Sequence, residues 1–522
     1  MTYDVVILGG GMAGSLLARQ LRREVPEASV LLVEKAREGS HEAGSHKVGE
    51  STVDVCGKYL TKRLGLSSYL YQEHLPKNGL RFFFDREDRS GALEELSEIG
   101  STGLVPFPAF QIDRARFDAD LLRMNQADGV EVRLGVRAAD VERDGELHTI
   151  GLEEEGVASG TVRARWLVDA SGRASVLARA RGLRQPALPE NAAVWGRFRG
   201  VADLDAMGPE PFRARVRHTA RVLSTNHFCY PGYWIWLIPL GRGLTSVGVV
   251  MRGADFSDAL RKEAGFLAFL RSHRALGELL ARAELVDVMS LGQLAYQSRR
   301  YFDARERFAL VGEAGAFTDP LYSPGGDYIA LANDWVSDLV RRDLRGEGSL
   351  AARAELYDRV LALRLRSTAL LYEGLYGALG SFEVFAPKWD LDLACYLNLW
   401  VEPYVLDLHL DDGALRRELD FGEATLEILR TMRRAILGAE AALRREGRFF
   451  AKNLGHAMLD PGIRFSRPDF GTADSHRCAM VRVRDSLQLA WDALEEQRGR
   501  PRSPEPIPIA GFASGLLDRG MD

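Results

Sequence analysis

The hydrophobic positions at the start of the chain predict a βαβ unit. An apolar run at 5–8 has the length of a buried strand, and Leu16, Leu17 and Leu21 follow at the spacing of a helix. A second strand is predicted over 29–34. This alternation of strand, helix and strand is typical of the start of a Rossmann-like α/β domain with a parallel sheet.

The pattern changes twice further along the chain. Strand-like runs at 234–239 and 245–251 predict an antiparallel sheet in the middle of the chain. Past Ser349, leucine, alanine and arginine recur at helical spacing, which predicts a helical C-terminal region. Strands at 130–134 and 166–168 are expected to return to the first sheet, so the Rossmann-like domain is predicted to be discontinuous.

The turn between the first strand and its helix reads GGGMAG, at residues 9–14. Gly9 permits a tight turn, Gly11 lets the backbone approach a pyrophosphate, and Gly14 lets the helix pack closely on the strand. The helix N-terminus stabilises the anion. Glu34 ends the next strand, where it can accept hydrogen bonds from ribose hydroxyls. The turn therefore predicts a dinucleotide site, without deciding which dinucleotide.

Length and charge exclude several classes of protein. At 522 residues the chain exceeds what one core usually supports, so we expect two closely joined domains and an added helical region. A formal net charge of −5 offers no electrostatic footprint for nucleic acid. The N-terminal apolar run lacks a basic leader, and the sequence contains no run of about 18 apolar residues, so we expect no signal peptide and no membrane span.

The cysteines lie far apart and form no Cys-x-x-Cys pair. That spacing argues against a zinc site and against a disulfide framework. We therefore expect no bound metal, reduced thiols and a cytoplasmic location. The cysteines are Cys56, Cys229, Cys395 and Cys478.

Two later segments indicate which dinucleotide binds. The runs WLVDASGR, containing Asp169, and FALVGEAG, containing Gly312 and Glu313, resemble the later FAD-binding segments of the flavoprotein monooxygenase superfamily. The resemblance implies FAD, with Glu313 in place of the usual aspartate on the ribityl chain. Arg114 matches the superfamily's arginine before a Phe-Asp helix, although a solvated arginine at a helix start is an equal alternative.

Two further segments resemble the flavin-dependent halogenases. Gly49-Glu50-Ser51 matches the loop that lies against the flavin in that family. The run 234–239, WIWLIP, matches its Trp-x-Trp-x-Ile-Pro signature, and strand alternation places Trp234 and Trp236 on one face. The resemblance implies that these two indoles form a wall that separates the substrate from the flavin.

Lys77 lies 27 residues after Glu50 and just before an aromatic strand, as the catalytic lysine of the halogenases does. In that family the lysine holds hypohalous acid or becomes a haloamine. A lysine suits this task because desolvation lowers its pKa and exposes a nucleophilic amine. Lys47 is the rival candidate, but its position directly before the flavin loop favours a role at the flavin.

The segment 318–327, TDPLYSPGGD, resembles the halogenase loop that binds halide through backbone amides. Clustered N–H groups form an anion nest. Pro324 has no N–H, so only Ser323, Gly325 and Gly326 are expected to contribute. Tryptophan halogenases carry an acid where Tyr322 stands, which predicts a substrate other than free tryptophan, with Tyr322 on the substrate wall.

The resemblance implies a two-component FAD-dependent halogenase of secondary metabolism, such as antibiotic biosynthesis. A separate flavin reductase supplies FADH2, and oxygen and chloride or bromide are consumed. The substrate is expected to be an electron-rich aromatic small molecule of phenol, pyrrole or indole type, free or tethered to a carrier protein. The alternative is a monooxygenase or dehydrogenase of the same fold that does not use halide. A noncatalytic flavoprotein-like binding module is a third interpretation.

The predicted domains are an FAD-binding domain at 1–190, an antiparallel substrate domain at 191–300, a return to the FAD-binding domain at 301–345 and a helical region at 346–522. The residues predicted to bind the cofactor are Gly9, Gly11, Met12, Ala13, Gly14, Glu34, Lys35, Val48, Gly49, Glu50, Ser51, Arg114, Asp169, Gly312 and Glu313.

Overall fold

The computed structural model of the chain describes residues 1–37, 47–103, 107–216, 218–459, 475–500 and 507, and of residues 475–478 and 480 the backbone alone. Its strands are β1 Thr2–Leu8, β2 Val30–Glu34, β3 Leu75–Lys77, β4 Leu80–Phe84, β5 Ser97–Gly100, β6 Ala109–Gln111, β7 Glu131–Leu134, β8 Val136–Asp144, β9 Leu147–Glu154, β10 Val157–Asp169, β11 Arg184–Pro186, β12 Asn191–Arg199, β13 Thr225–Tyr230, β14 Tyr233–Gly241, β15 Leu244–Arg252, β16 Glu284–Leu291, β17 Tyr296–Ser298, β18 Phe302–Asp303, β19 Phe308–Leu310 and β20 Ala457–Leu459.

The α-helices are α1 Met12–Glu24, α2 Asp54–Lys58, α3 Ser67–Glu73, α4 Arg114–Ala127, α5 Val176–Ala180, α6 Glu210–Arg213, α7 Glu263–Arg271, α8 Arg274–Leu279, α9 Gly325–Arg345, α10 Leu350–Leu370, α11 Phe382–Tyr396, α12 Glu402–Val405, α13 Asp412–Asp420, α14 Gly422–Arg445 and α15 Ser475–Gln497. Short π-helices lie at Tyr59–Arg63 and Leu397–Val401, and 3-10 turns lie at Leu93–Glu95, Gly172–Ala174, Arg221–Leu223, Gly253–Asp255, Asp258–Arg261, Gly312–Ala314, Ala378–Gly380 and Leu408–Leu410.

The first sheet is built around β1, which pairs in parallel with β2 on one side and β10 on the other. Its strand order is β18-β19-β10-β1-β2-β7, and β9 and β8 extend it in antiparallel pairing from β10. Val5, Val6 and Ile7 are fully buried because α1 and other helices cover the sheet, so both faces of β1 need apolar side chains. The predicted Rossmann-like α/β fold class is confirmed.

The second sheet has the order β16-β12-β15-β14-β13-β4-β5-β20 and is largely antiparallel. Trp236 on β14 lies opposite Gly248 on β15, and a Cβ at Gly248 would collide with the indole ring. The glycine therefore leaves the space that the tryptophan ring fills. Ile235 and Leu237 on the opposite face pack into a separate apolar core, as strand alternation requires.

The second sheet takes strands from both sides of the predicted domain boundaries. β4 and β5 fall within residues 1–190, which the sequence assigns to the FAD-binding domain, yet they pair with β13 and with each other in the second sheet. β20, from the C-terminal region, pairs with β5. The assignment of 1–190 to one domain needs this correction because the aromatic face of β4 is buried only by joining the second sheet.

The C-terminal helices cover the aromatic face of the second sheet. Phe82 and Trp234 of the sheet share one apolar core with Tyr372, Phe385 and Trp389 of the helical region. Large aromatic side chains bury much apolar area, which gives this interface its stability. Among the helices described here, none has the length and apolarity required to cross a membrane.

A buried charged cluster stabilises the junction of β4 and β5. The Glu98 carboxylate accepts hydrogen bonds from Arg81 at 2.6 Å and from Arg221 at 2.9 and 3.0 Å, and all three side chains are fully buried. Burial opposes ionisation of Glu98, but the arginines prevail and hold its pKa below its ordinary value. Arg81 also donates to the Ser101 carbonyl at 2.6 Å, so the cluster fixes the loop after β5.

Candidate active site

The glycine turn at the end of β1 forms the first wall of the predicted nucleotide site. Gly9 has a φ of 110°, in the left-handed region that favours glycine. A Cβ at Gly14 would collide with the Gly9 carbonyl oxygen, so only glycine lets α1 approach the turn. Met12 and Ala13 form the first turn of α1, where backbone N–H groups have no acceptor within the helix. These groups are placed to bind a phosphate.

Glu34 lies at the carboxyl end of β2, beside the glycine turn. Its carboxylate accepts from the Gly10 N–H at 2.6 Å and from the Ala36 N–H at 2.8 Å. Each carboxylate oxygen can accept a further bond, so the predicted contact with a ribose hydroxyl fits this geometry. Lys35 follows as an exposed side chain.

Asp169, at the end of β10, holds the neighbouring turn. Its carboxylate accepts from the Ser171 N–H at 3.0 Å and the Leu177 N–H at 2.7 Å, and the residue is fully buried. The Ala170 carbonyl packs against the α-carbon of Gly9. Asp169 therefore holds the turn beside Gly9, and its role in cofactor binding stays a prediction.

The segment that contains Gly312 and Glu313 meets the glycine turn beside α1. Gly312 has a φ of 57°, and a Cβ there would lie 3.0 Å from the Ala13 side chain. The next residue, Glu313, is about one-third exposed, with its carboxylate 3.9 Å from Arg173. The predicted ribityl-binding acid is thus an open carboxylate at the edge of the crevice.

Arg114, the first residue of α4, is buried rather than solvated. Its guanidinium binds both carboxylate oxygens of Asp118, at 3.0 and 3.1 Å, and donates to the Val48 carbonyl at 2.7 Å. It lies so close to Gly49 that a Cβ there would be 2.8 Å from the guanidinium. The alternative of a solvated helix-start arginine is therefore wrong. Lys47 donates to the same Asp118 at 3.1 Å.

The predicted flavin loop is anchored by a buried ion pair. Glu50 accepts from Arg197 of β12 at 2.7 Å, and each side chain is about 1% exposed. Arg197 also donates to the Lys47 carbonyl at 2.9 Å. The two bonds hold the loop against the second sheet, so the conformation of the loop depends on both sheets.

Three predicted segments meet at Ser51. Lys77 Nζ donates to Ser51 Oγ at 2.7 Å and to the Thr52 carbonyl at 2.8 Å. Ser323 Oγ donates to the same Ser51 Oγ at 3.0 Å, and Thr225 of β13 lies 2.8 Å from it. The predicted catalytic lysine, flavin loop and halide loop are therefore joined by direct hydrogen bonds.

The surroundings of Lys77 bring its pKa close to neutral pH. The side chain is 97% buried, and this burial lowers its pKa to about 7, although the carboxylates of Asp54 and Asp327 oppose the change. Burial in turn raises the pKa of Asp54 to about 6 and of Asp327 to about 7. Asp327 accepts from the Tyr396 hydroxyl at 2.9 Å. Ionisable groups with displaced pKa values are typical of catalytic sites.

The predicted halide loop has an unusual backbone. Tyr322 and Ser323 adopt φ values of 72° and 60°, a conformation that costs a non-glycine residue roughly 1 kcal/mol or more. Pro324 then caps α9, and Gly325 and Gly326 form its first turn, where N–H groups have no acceptor within the helix. The proline thus removes one donor and leaves the two glycine amides to bind an anion.

A cavity of about 460 Å³ lies between these loops and the C-terminal helices. This volume is within the range of pockets for small molecules. Its walls are mostly apolar, and Lys77 is not among the described lining residues, although Asp54 and Asp327, which interact electrostatically with Lys77, are. The walls include Asp54, Leu80, Tyr322, Asp327, Trp389 and Tyr396.

Tyr322 lines this cavity, but the described lining does not include Trp234 or Trp236, and the place of all three on a substrate wall stays a prediction. Their indole N–H groups donate to the Tyr376 hydroxyl at 3.0 Å and to Ser246 Oγ at 3.1 Å. Ring contacts run from Trp234 through His227 and Phe82 to Tyr322. The two indoles therefore support the wall of this cavity from behind, because Phe82 and His227 occupy the layer between.

Five polar residues at the cavity were not predicted as site residues. Asp54 lies two residues after Thr52, and Asp327 is the last residue of the segment 318–327 that resembles the halide loop. Both could have been predicted as site residues from these motifs. The other three belong to α11, whose helical pattern carries no signature. The five are Asp54, Asp327, Lys388, Asp392 and Tyr396.

The described residues contain no cluster of three or more histidines, cysteines or acids suited to a metal ion. Cys56, Cys229 and Cys395 are free thiols, and the side chain of Cys478 lies outside the described residues.

A family model described as an FAD binding domain matches residues 2–210. A flavin-dependent halogenase of Dictyostelium discoideum is 27% identical over 436 residues, covering 78% of this chain and 72% of the relative. A tryptophan 2-halogenase of Chondromyces crocatus is 27% identical, covering 71% of this chain and 67% of the relative. The chain is similar to flavin-dependent halogenases along most of its length, and its N-terminal part matches an FAD binding domain. It is therefore an FAD-binding enzyme.

Solved structures of flavin-dependent halogenases share this fold. The halogenase PltM in complex with phloroglucinol and FAD superposes with a TM-score of 0.71 at 18% identity, covering 95% of this chain and 99% of that chain. The brominase Bmp2 gives a TM-score of 0.59 at 22% identity, covering 84% of this chain and all of the other. At these identities the likeness is one of architecture.

The crevice of this halogenase relative fits FAD on its own geometry. The first turn of α1 offers unpaired N–H groups to a pyrophosphate, and the absent side chains at Gly9 and Gly14 allow close approach. Glu34, beside the glycine turn, and the open carboxylate of Glu313 could accept hydrogen bonds from hydroxyl groups of the bound cofactor. The residues that would hold FAD are thus those of the glycine turn, Glu34, Glu313 and the loop that ends at Ser51.

Proposed function

We propose that this protein uses FADH2, oxygen and chloride or bromide to halogenate an electron-rich aromatic small molecule, with Lys77 as the catalytic residue. The observation that carries the proposal is the hydrogen-bonded link from Lys77 through Ser51 to Ser323. It joins a desolvated amine to the loop that offers N–H groups to an anion. A separate flavin reductase supplies FADH2, and we place the enzyme in the cytoplasm, where free thiols stay reduced.

Reduced FAD, when bound, would supply two electrons to oxygen and the halide ion would supply two more, so that oxygen, halide and a proton give hypohalous acid and water. The chain's own groups have three tasks. Gly325 and Gly326 offer amides to the halide ion. Lys77 holds the hypohalous acid, or takes up its halogen as a haloamine, beside Ser51 and near Asp54 and Asp327, two residues of the cavity lining. The buried site excludes bulk water, which would otherwise compete for the halogen.

Substitution on the ring breaks a C–H bond, forms a carbon–halogen bond and releases a proton. With the hydroxide left from hypohalous acid, that proton makes water. Asp327 lines the cavity and has a pKa raised by burial to about 7, so its carboxylate is suited to accept the ring proton at neutral pH. Tyr396 and the Cys56 N–H hold this carboxylate, at 2.9 and 2.8 Å.

The function is tested by turnover with FAD, a reductase, oxygen and either chloride or bromide, on a panel of phenols, pyrroles and indoles. Mass spectrometry should show a halogen isotope pattern in at least one product, and omission of halide should abolish it. Products that carry only added oxygen, or have lost hydrogen, would instead establish a halide-independent monooxygenase or dehydrogenase.

The pH dependence of halogen transfer should respond to Asp54→Asn. The Asp54 carboxylate raises the pKa of Lys77, so its removal destabilises the ammonium form and moves the pKa of Lys77 below 7. The limb of the pH profile that reports Lys77 should shift to lower pH by about one pH unit. Single-turnover halogenation measured from pH 5 to 9 gives this limb.

Asp255→Asn is the matched control for this shift. It removes the same charge from an exposed turn, where Asp255 pairs only with Arg252 in the recorded ion pairs. Its pH profile should coincide with that of the wild type. An unmoved limb in Asp54→Asn would show that the observed titration does not belong to Lys77.

A further inference from the structure

The cavity is longer than one aromatic ring. On the basis of the proposed function, we infer that it binds an aromatic substrate whose ring carries an alkyl chain. The ring lies beside Asp54 and Asp327, the lining residues that interact electrostatically with Lys77. The chain extends along the cavity between α10 and α11. This class of substrate is narrower than the phenols, pyrroles and indoles of the proposed function.

Two helices form the long walls of the cavity. Lining residues recur on successive turns of α11 and of the π-helix that continues it, from Trp389 to Trp400. Others recur along α10 and the turn after it, from Leu363 to Tyr372. At about 1.5 Å per residue, the wall formed by α11 is roughly 16 Å long.

Ring contacts mark the two ends of these walls. At one end the Tyr322 ring centroid lies 6.0 Å from that of Tyr372 and 5.5 Å from that of Trp389. At the other end the Arg364 guanidinium lies 5.0 Å from the ring centroid of Trp400. The last lining residue of one wall thus meets the first of the other, and the cavity runs between these two contacts.

The volume of the cavity also exceeds what a single ring requires. A cavity of roughly 150 Å³ is enough to hold benzene. The volume here is about 460 Å³. A substrate consisting of one small ring would therefore leave most of the cavity empty, whereas a ring with a chain fills it.

The walls along which the chain extends are aliphatic. Each methylene group that leaves water for such a surface stabilises the complex. The aliphatic lining residues include Leu363, Leu371, Leu393, Leu397, Leu399 and Leu429, the last of which belongs to α14.

The polar groups among these leucines favour an uncharged chain. Ser367 of α10 and Thr425 of α14 each donate to the carbonyl four residues earlier in the chain, at 2.9 and 3.2 Å. Arg364 and Glu418 form two parallel hydrogen bonds at 2.7 and 2.8 Å, so their charges balance each other. A charged group on the chain would lose its hydration without meeting an unpaired opposite charge.

The first test measures binding without halogenation. Equilibrium dialysis on the FAD-loaded protein compares 4-ethyl-, 4-butyl-, 4-hexyl- and 4-nonylphenol. Affinity should rise about threefold to fourfold per methylene as far as 4-hexylphenol. It should rise no more than about threefold from hexyl to nonyl, because at about 1.2 Å per bond the longer molecule exceeds the wall of α11.

Two variants that fill the cavity test whether the chain lies there. Ser367→Phe and Thr425→Phe each add a ring from a different helix, and the recorded bond of each hydroxyl stays within its own part of the chain. Both variants should bind 4-ethylphenol within about threefold of the wild type and 4-hexylphenol no more than about threefold more tightly than 4-ethylphenol. Ala362→Phe, on the exposed face of α10, is the matched control and should behave as the wild type.

The second test measures halogenation with the same phenols. In the wild type, kcat/KM should rise from 4-ethyl- to 4-hexylphenol in parallel with affinity. In Ser367→Phe and Thr425→Phe this rise should disappear, while 4-ethylphenol is still halogenated.

Equal affinity of the wild type for 4-ethyl- and 4-hexylphenol would overturn the inference. So would wild-type affinity for 4-hexylphenol in both variants, or affinity that rises as steeply beyond hexyl as before it, since the chain would then bind elsewhere. If the chain-length dependence appears but no aromatic in the panel is halogenated, the binding of the chain stands and the proposed function fails. If 4-ethyl- and 4-hexylphenol are halogenated with equal kcat/KM and bound equally, the proposed function stands and the inference fails.

Discussion

Lys77→Met should reduce halogenation by about 10³-fold or more while oxidation of FADH2 by oxygen continues. Methionine has nearly the length of lysine but no N–H donor and no amine, and its thioether would consume hypohalous acid by oxidation to the sulfoxide, so halogen can no longer be held beside Ser51 and passed on. The site should otherwise remain folded, because an apolar side chain pays no desolvation cost in a position that is 97% buried. Mass spectrometry measures halogenated product, and oxygen consumption measures flavin oxidation in the same reaction.

Lys47→Met is the matched control for this result. Lys47 is half-buried and donates to Asp118, beside Arg114 and the glycine turn. Its loss should raise the concentration of FADH2 needed for turnover, with halogenation retained once FADH2 is saturating. Loss of halogenation in Lys47→Met with retention in Lys77→Met would reverse the assignment of the two lysines.

Glu98→Gln should lower the free energy of unfolding by about 3–5 kcal/mol at neutral pH. The substitution keeps the shape of the side chain but removes the negative charge that pairs with Arg81 and Arg221, both fully buried. Arg81 would lose its recorded carboxylate partner, and Arg221 would keep only Asp205 at 3.3 Å. Urea unfolding followed by circular dichroism measures the change.

The same measurement on Glu278→Gln provides the control. Glu278 forms an exposed pair with Arg274 on α8, which is worth roughly 0.3–0.5 kcal/mol. Because the pKa of Glu98 is depressed in the folded state, its stabilisation is present above the ordinary pKa of a glutamate and is lost as pH falls through the lower folded value. The gap between wild type and Glu98→Gln should therefore close in acid. A loss below about 1 kcal/mol at pH 7 would contradict the account.

The nucleotide site could be predicted because its signals are local. Backbone sterics alone require glycine at positions 9 and 14, and the order of strand, turn and helix is written within the first 34 residues. The sequence did not decide whether Arg114 is buried or solvated. Asp118 lies one helical turn later and can pair with Arg114, but this spacing does not show whether other elements cover the pair.

The substrate side could be predicted less well because its contacts are long-range. Asp392 reaches Tyr322 across 70 positions of the chain, and neither residue type nor spacing on α11 announces that meeting. The place of β4 in the second sheet was missed for the same reason, since its partner β13 lies more than a hundred positions away. An aromatic strand predicts burial but not the sheet in which it is buried.

The bond between Ser51 and Ser323 joins positions 272 residues apart. A ribosome therefore releases the glycine turn, the flavin loop and Lys77 long before the halide loop emerges. A nascent chain in that interval can begin to form a nucleotide crevice but has no loop that could hold a halide ion beside the lysine. Gly312 and Glu313, which complete the predicted FAD crevice, lie directly before the halide loop, so the same late stretch of the chain completes both sites.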